Sequence, residues 1–348
     1  MKKNFSIDTI NRMYSLKSNK IVSLPIVILM PYSRCNCRCV MCDIWKGNNN
    51  IKQLEESDVE KLLDSMKKLN TKSVVMSGGE ALMHPNFFRL CEILKSRKIK
   101  ITLLSTGLLL KKYVKEIISN TDEVIVSLDG SREVHDKIRN IPNAFDKLKE
   151  GAQELKRLNP RYRITARCVI QKENFEDFPN IVDAAKDIGL NQISFLAADV
   201  TTDAFNRPDL WDVQKAGEVK LSRTDLVKFK DVIESLINSH SNEFNTNFIA
   251  ESPDKIRRFY HYYSAYYGGN KFPEMKCNAP WVSAVIEADG SVRPCFFHQV
   301  IGDIKENSLT EIINSEKSIS FRKNLDVRTN EICEKCVCYL NLSPFVKL

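Results

Sequence analysis

Two groups of cysteines carry the chemistry this sequence offers. In RCNCRCVMC (residues 34–42), Cys35, Cys39 and Cys42 follow the spacing C-x3-C-x2-C, with Cys37 as an extra thiol between them. Three thiolates on one tight loop can hold three irons of a 4Fe–4S cluster and leave the fourth iron open to a small molecule. A zinc site is the competing reading. It needs four ligands, no histidine is near, and Cys37 would have to supply the fourth. The second group is Cys277, Cys295, Cys333 and Cys336, with Cys338 two residues on. Four thiolates there suit either a fully ligated cluster or a zinc ribbon. Cys91 lies on an apolar helical face and Cys168 on a helix-facing strand, as core thiols do.

The elements that position the first group repeat in a βα pattern. Apolar strands are expected at 23–32, 73–76, 99–104, 123–128, 163–170 and 192–197, with helices between them. The helix of residues 57–66 is expected to open on a capping box, Ser57 to Glu60. Six nearly all-apolar strands alternating with helices argue an α/β fold, a partial (β/α)6 barrel that stays open because it is short of the eight units that close one. Residues 1–22 form an N-terminal tail, 23–200 the core and 201–270 a helical connection. Residues 271–348 form a small cysteine-rich α+β domain whose Asp289-Gly290 marks a hairpin. The aromatic run of residues 259–267 reads as a helix packing between two domains, or as a surface on which a substrate stacks.

Composition narrows the classes. The chain has 348 residues, 12 Gly and 12 Pro, which exclude a fibrous or low-complexity protein. No apolar run spans a bilayer and no secretory signal opens the chain, so no membrane role and a cytoplasmic location are expected. In that reducing compartment clustered cysteines bind metal or do redox chemistry. The net charge of +8 is spread along the chain, without the basic–aromatic stripe of a nucleic-acid binder. A diffuse positive surface does suit an acidic electron donor.

The motifs together resemble the radical S-adenosylmethionine (SAM) enzymes. C-x3-C-x2-C follows the first strand and Ser77-Gly78-Gly79-Glu80 the second. Ser127-Leu128-Asp129-Gly130, then His135-Asp136 and Arg139, follow the fourth. The resemblance implies that Cys35, Cys39 and Cys42 hold a 4Fe–4S cluster whose open iron binds SAM. Gly78 and Gly79 would let the backbone approach its methionine part, or form a plain turn. Glu80 would fix the loop. Alternation along residues 163–170 sends Arg167 into the barrel, where it would meet the carboxylate of SAM or pair with Asp129. Ser105, Ser127, Asp129 and Arg167 are the candidate cofactor contacts. Cys277-x12-Gly290-x4-Cys295 followed by Cys333-x2-Cys336 resembles the SPASM or twitch auxiliary-cluster domains. Too few cysteines follow for the full form, which implies one auxiliary 4Fe–4S cluster, with Cys338 as an alternative ligand to Cys336. Cys37 or Cys338 is a candidate hydrogen donor to a substrate radical, or a spectator.

The implied activity is reductive cleavage of SAM to a 5′-deoxyadenosyl radical, with electrons from flavodoxin or ferredoxin, and hydrogen abstraction from a substrate. That substrate is expected to be a peptide or protein. A cyclitol, sugar or other small molecule is the alternative, and a non-catalytic iron–sulfur or zinc redox sensor the rival of another class. Because only residues 1–22 precede the first strand, a leader-binding domain is expected to be missing and a separate recognition protein to replace it. Sulfatase maturation is disfavoured by the cysteine count.

Overall fold

A computed structural model describes residues 6–207 and 209–347. The expected tail contains a helix, α1 (Ile7–Ser18), capped by Ser6; residues 1–5 of that tail lie outside the described residues. Then come β1 (Ile26–Leu29), α2 (Glu56–Lys68), β2 (Ser73–Met76), α3 (Phe87–Lys95), β3 (Lys100–Ser105), α4 (Val114–Asn120) and β4 (Glu123–Ser127). They are followed by α5 (Arg132–Arg139), α6 (Ala144–Leu158), β5 (Arg163–Ile170), α7 (Phe178–Ile188) and β6 (Gln192–Ala197). The connection is helical: α8 (Val213–Val219), α9 (Arg223–Ser239), α10 (Ser241–Asn245) and α11 (Pro253–Ala265). The helix expected to start at Ser57 starts one residue earlier. Glu55 caps it and Asp58 closes the box, Asp58 Oδ2 accepting from Glu55 N at 2.9 Å.

The strands form one open sheet in the order β6-β5-β4-β3-β2-β1, all parallel, as the βα repeats require. The sheet does not stop there. Strand β7 (Ser283–Ile286) of the C-terminal segment adds to β1 in parallel, Ile26 opposite Ser283, and β8 (Ser291–Arg293) and β9 (Gly302–Asp303) follow antiparallel. The cysteine-rich segment is therefore built onto the barrel's β1 edge. The residues after α1 are tied to it as well: Ile21 N donates to Asn314 Oδ1 at 2.8 Å, and Arg322 Nε donates to Asn19 O at 2.8 Å.

Burial alternates strictly along β1, β2, β4 and β6. Val27, Leu29, Val74, Met76, Val124 and Val126 are fully buried under the helices, each contributing roughly 1.5–3 kcal/mol by leaving water. The other face is half-buried. A one-residue slip would reverse the two faces, so this pattern fixes the register. It also places Ser127, Arg167 and Ser194, paired in register across β4, β5 and β6, in one polar row on the concave face. Helix α11 closes the β6 side. Tyr263 Oη donates to Ile170 O and receives Ala198 N at 2.8 Å, while Tyr262 Oη donates to Lys335 O at 3.2 Å. The aromatic run thus packs between barrel and C-terminal segment. Among the described residues no helix is long and apolar enough to cross a membrane.

Candidate active site and auxiliary cysteine ring

The C-x3-C-x2-C loop leaves β1 at its C-terminal end and is clamped on three sides. Arg38 N and Val40 N donate to Arg139 O and Ile138 O, at 3.0 and 3.1 Å, at the end of α5. Asn48 exchanges two hydrogen bonds with the Cys35 backbone at 3.0 and 2.9 Å. From β2, Gly79 N donates to Tyr32 O at 3.1 Å and Glu80 N to Arg34 O at 2.8 Å.

This last contact explains the glycines. Gly78 has φ +119°, and a Cβ there would stand 2.7 Å from Tyr32 O. A Cβ on Gly79 would collide with Arg34 O. Both are required by the approach of two backbones, the glycine turn and the cysteine loop. Gly79→Ala is expected to cost on the order of 1–3 kcal/mol and to weaken iron loading at the first cysteine group. A melting curve and an iron assay on the reconstituted protein check both.

Glu80 is fully buried and locks the loop, as expected. Its carboxylate accepts from Thr106 N (2.7 Å), Thr106 Oγ1 (2.6 Å), Leu82 N (3.2 Å) and Ser105 Oγ (3.1 Å). Burial raises its pKa against the pull of these donors. Thr106 Oγ1 also reaches Asn36 Oδ1 at 3.0 Å, which carries the lock into the cysteine loop. Ser105 is consumed by Glu80, so it is a supporting group and not a free cofactor contact.

Asp129 requires a correction too. It does not pair with Arg167. Its carboxylate pairs with Arg139 and accepts Val169 N at 2.8 Å. The Arg139 guanidinium also donates to Cys39 Sγ at 3.4 Å. Cys39 is pulled down to about 6, first by a hydrogen bond from the Cys37 thiol and then by Arg139, against burial. A thiolate at Cys39 is the form that ligates iron. Burial pushes Cys35 up to about 12 and raises Cys42, so these two ionise only with a metal to receive them. Cys37 is 1% exposed and turned onto Cys39.

Several buried groups near this loop have no protein partner: Trp45 Nε1, Arg139 Nε and both amide atoms of Gln171. Trp45 lies three residues after Cys42, Arg139 touches Cys39, and Gln171 follows directly on β5. Unsatisfied buried polar groups are costly, and a polar cofactor over the loop would answer them. Among the described residues the Ser127 hydroxyl, on the concave face, also has no hydrogen-bond partner. Sequence reasoning missed Arg139, Thr106 and Gln171 as site residues, although Arg139 stood in the motif run.

The second cysteine group converges. Cys277, Cys295, Cys333, Cys336 and Cys338 line one cavity of about 40 Å³ with His298. Burial pushes Cys295 to about 11 and Cys333 to about 12 and raises Cys336. His298, whose pKa burial lowers, sets Nε2 3.3 Å from Cys333 Sγ, and Ala279 N points at Cys277 Sγ from 3.5 Å. N–H groups aimed at sulfur suit thiolate-bound iron. Among the described residues no three such side chains close on one point as a single metal ion requires; a cubane asks its ligands for a wider ring.

A larger cavity, about 250 Å³, shares Met275, Cys336, Cys338 and Tyr339 with that ring and extends to Arg167, Glu251 and α11. Arg167 therefore belongs to this cavity. Glu251 accepts Phe195 N at 3.1 Å, and burial raises its carboxyl to about 7. The folded state then binds more protons than the unfolded one between about pH 4.5 and 7, so this group's share of stability is full below that window and falls as pH rises through it. The shift corresponds to about 3 kcal/mol. Glu251→Gln, which keeps the acceptor for Phe195 N, is expected to raise the melting temperature more at pH 8 than at pH 5.

Comparisons with known proteins agree with this geometry. Residues 29–185 match the radical SAM superfamily and residues 277–337 the SPASM iron–sulfur cluster-binding domain. The chain is 28% identical over 180 residues to Fe-coproporphyrin III synthase of Methanosarcina barkeri, covering 49% of this chain and 43% of that protein. It therefore spans under half the length of that relative. It is 25% identical over 346 residues to a cysteine-type anaerobic sulfatase-maturating enzyme of Clostridium novyi, covering 91% of this chain and 86% of the other. Streptococcus suis SuiB, solved with its precursor peptide SuiA, shares the fold with TM-score 0.66 and 17% identity, over 96% of this chain and 76% of SuiB. The two domains imply 4Fe–4S clusters and SAM as cofactors. With its clamped three-cysteine loop at the mouth of a parallel sheet and its cysteine ring beyond, the chain carries a radical SAM domain over residues 29–185 and a SPASM iron–sulfur cluster-binding domain over residues 277–337.

Proposed function

We propose that this protein is a peptide- or protein-modifying radical SAM enzyme. Cys35, Cys39 and Cys42 would hold the cluster, which would supply the electron for reductive cleavage of SAM and so the radical chemistry that removes a hydrogen atom from the substrate. This chain's residues supply the setting. Glu80 and the glycine turn immobilise the loop, Arg139 favours the ligating thiolate at Cys39, and the Ser127 hydroxyl faces the cofactor. Cys277, Cys295, Cys333 and Cys336 hold one auxiliary 4Fe–4S cluster, and Cys338 shares the wall between that ring and the substrate cavity. A flavodoxin or ferredoxin of the cytoplasm is the electron donor.

The observation that carries this reading is the clamped loop, together with a cavity that runs from the concave face to the auxiliary ring. The peptide substrate rests on the likeness to a sulfatase-maturating enzyme along nearly the whole chain. The test is anaerobic reconstitution followed by dithionite and SAM. 5′-Deoxyadenosine is the expected product, and its absence from protein with all clusters intact overturns the reading.

A further inference from the structure

We infer that the cavity between the β5–β6 end of the sheet and the cysteine-rich segment binds a carboxylate of the substrate peptide, an acidic side chain or a chain end, and that Arg167 selects it. The inference rests on the peptide reading above. Its first support is an unanswered charge. Arg167 lies on the concave face of β5 and lines the cavity. Its guanidinium makes one long hydrogen bond, Nε to Ser194 Oγ at 3.5 Å, and among the described residues it has no carboxylate within ion-pair distance. A half-buried guanidinium with most of its donors free is costly unless something pairs with it.

The carboxylates that might answer it are engaged elsewhere. Asp129 belongs to Arg139 and Val169 N. Glu251, in the same cavity, holds Phe195 N; burial raises its carboxyl while the charges of Arg167 and Lys255 pull the other way, and among the described residues it forms an ion pair with neither. Glu334 is exposed on the rim. Two further cations line the cavity. Arg258 donates to the Glu274 backbone carbonyl, and among the described residues the Lys255 ammonium has neither a hydrogen bond nor an ion pair. The excess is positive, and Phe259, Tyr262 and Tyr339 wall it with low-dielectric surface that strengthens a charge pair. The cavity, about 250 Å³, has room for an acidic side chain or a chain end.

The SAM carboxylate is the other source of the same chemistry. The SAM-binding arm of the test separates the two sources, because Arg167 stands beside Ser127 in the sheet, while the guanidinium that touches the cysteine loop is Arg139.

The experiment immobilises the reconstituted holoenzyme with SAM, passes a random hexapeptide mixture over it and sequences the retained peptides by mass spectrometry. Acidic residues or free C-termini are expected to be enriched about tenfold, as charge-assisted hydrogen bonds allow. Arg167→Ala is expected to reduce this below about twofold, Arg167→Lys to keep part of it, and both to bind SAM with the parent's affinity. No acidic enrichment in the parent, or enrichment that survives in a folded Arg167→Ala, overturns the inference. So does a loss of SAM affinity in that variant with enrichment intact, which would assign Arg167 to the cofactor. Peptide retention is read without turnover, so failure to form 5′-deoxyadenosine counts against the function and not against this site.

Discussion

Replacing Cys35, Cys39 and Cys42 together by alanine is expected to abolish 5′-deoxyadenosine formation while about half of the iron remains, bound at the C-terminal ring. The argument is one of separation. The first three thiols stand on a loop clamped by α5, Asn48 and the β2 glycine turn. The other five stand in a cavity built by the segment after α11. Glu80, Gly79 and the end of α5 hold the loop's backbone by hydrogen bonds that do not run through the thiols. The triple variant should therefore remain folded and keep the visible absorption of the auxiliary cluster. Iron per chain, absorption near 400 nm and product formation are measured on the same sample. Product formed at parent rates by protein lacking the first cluster would sink the assignment of those cysteines. Loss of all iron together would show that the two sites do not load independently.

What could be read in advance was whatever has a local signal. Strand β5 runs over Arg163–Ile170, where its alternation placed it, and Arg167 does face the concave side. The spacing of both cysteine groups was enough to mark them. Three features had no local signal. Strand β7 pairs with β1 at the far end of the chain, and a hairpin signature at Asp289-Gly290 says nothing about which edge the hairpin joins. The first strand was expected over 23–32 but is only Ile26–Leu29: the flanking apolar residues are buried by other bonds, Leu24 N reaching Leu69 O and Leu54 N reaching Pro31 O. And α2 is capped by two acids, Glu55 and Asp58, that do what a serine and glutamate would have done nearby. The glycines of the β2 turn were legible as necessary, but their reason was not. It lies in a backbone from another part of the chain, which no local pattern names.

Asp129 illustrates the same limit and leads to the second large expected effect. Alternation offered it Arg167 on the neighbouring strand, yet helix α5 brings Arg139 back over the end of β4, ten residues on. There Asp129 is fully buried and Arg139 nearly so. Arg139→Met leaves that carboxylate uncompensated, which costs about 3–5 kcal/mol and lowers the melting temperature by on the order of 10 °C for a chain of this size. It also removes the donor to Cys39 Sγ, so the Cys39 thiol ionises less readily and iron loads more slowly at the first site than at the second. Asp129→Asn/Arg139→Met removes both charges, and Asn can still accept Val169 N. The double variant is therefore expected to be more stable than Arg139→Met alone, because the penalty comes from an orphaned charge and not from a missing bond. Thermal melts of the apoproteins in a double-mutant cycle decide it. If the double variant loses the sum of the single losses, the two groups do not act as a pair. If Arg139→Met loads iron at the parent's rate, the guanidinium plays no part in preparing Cys39 for its metal.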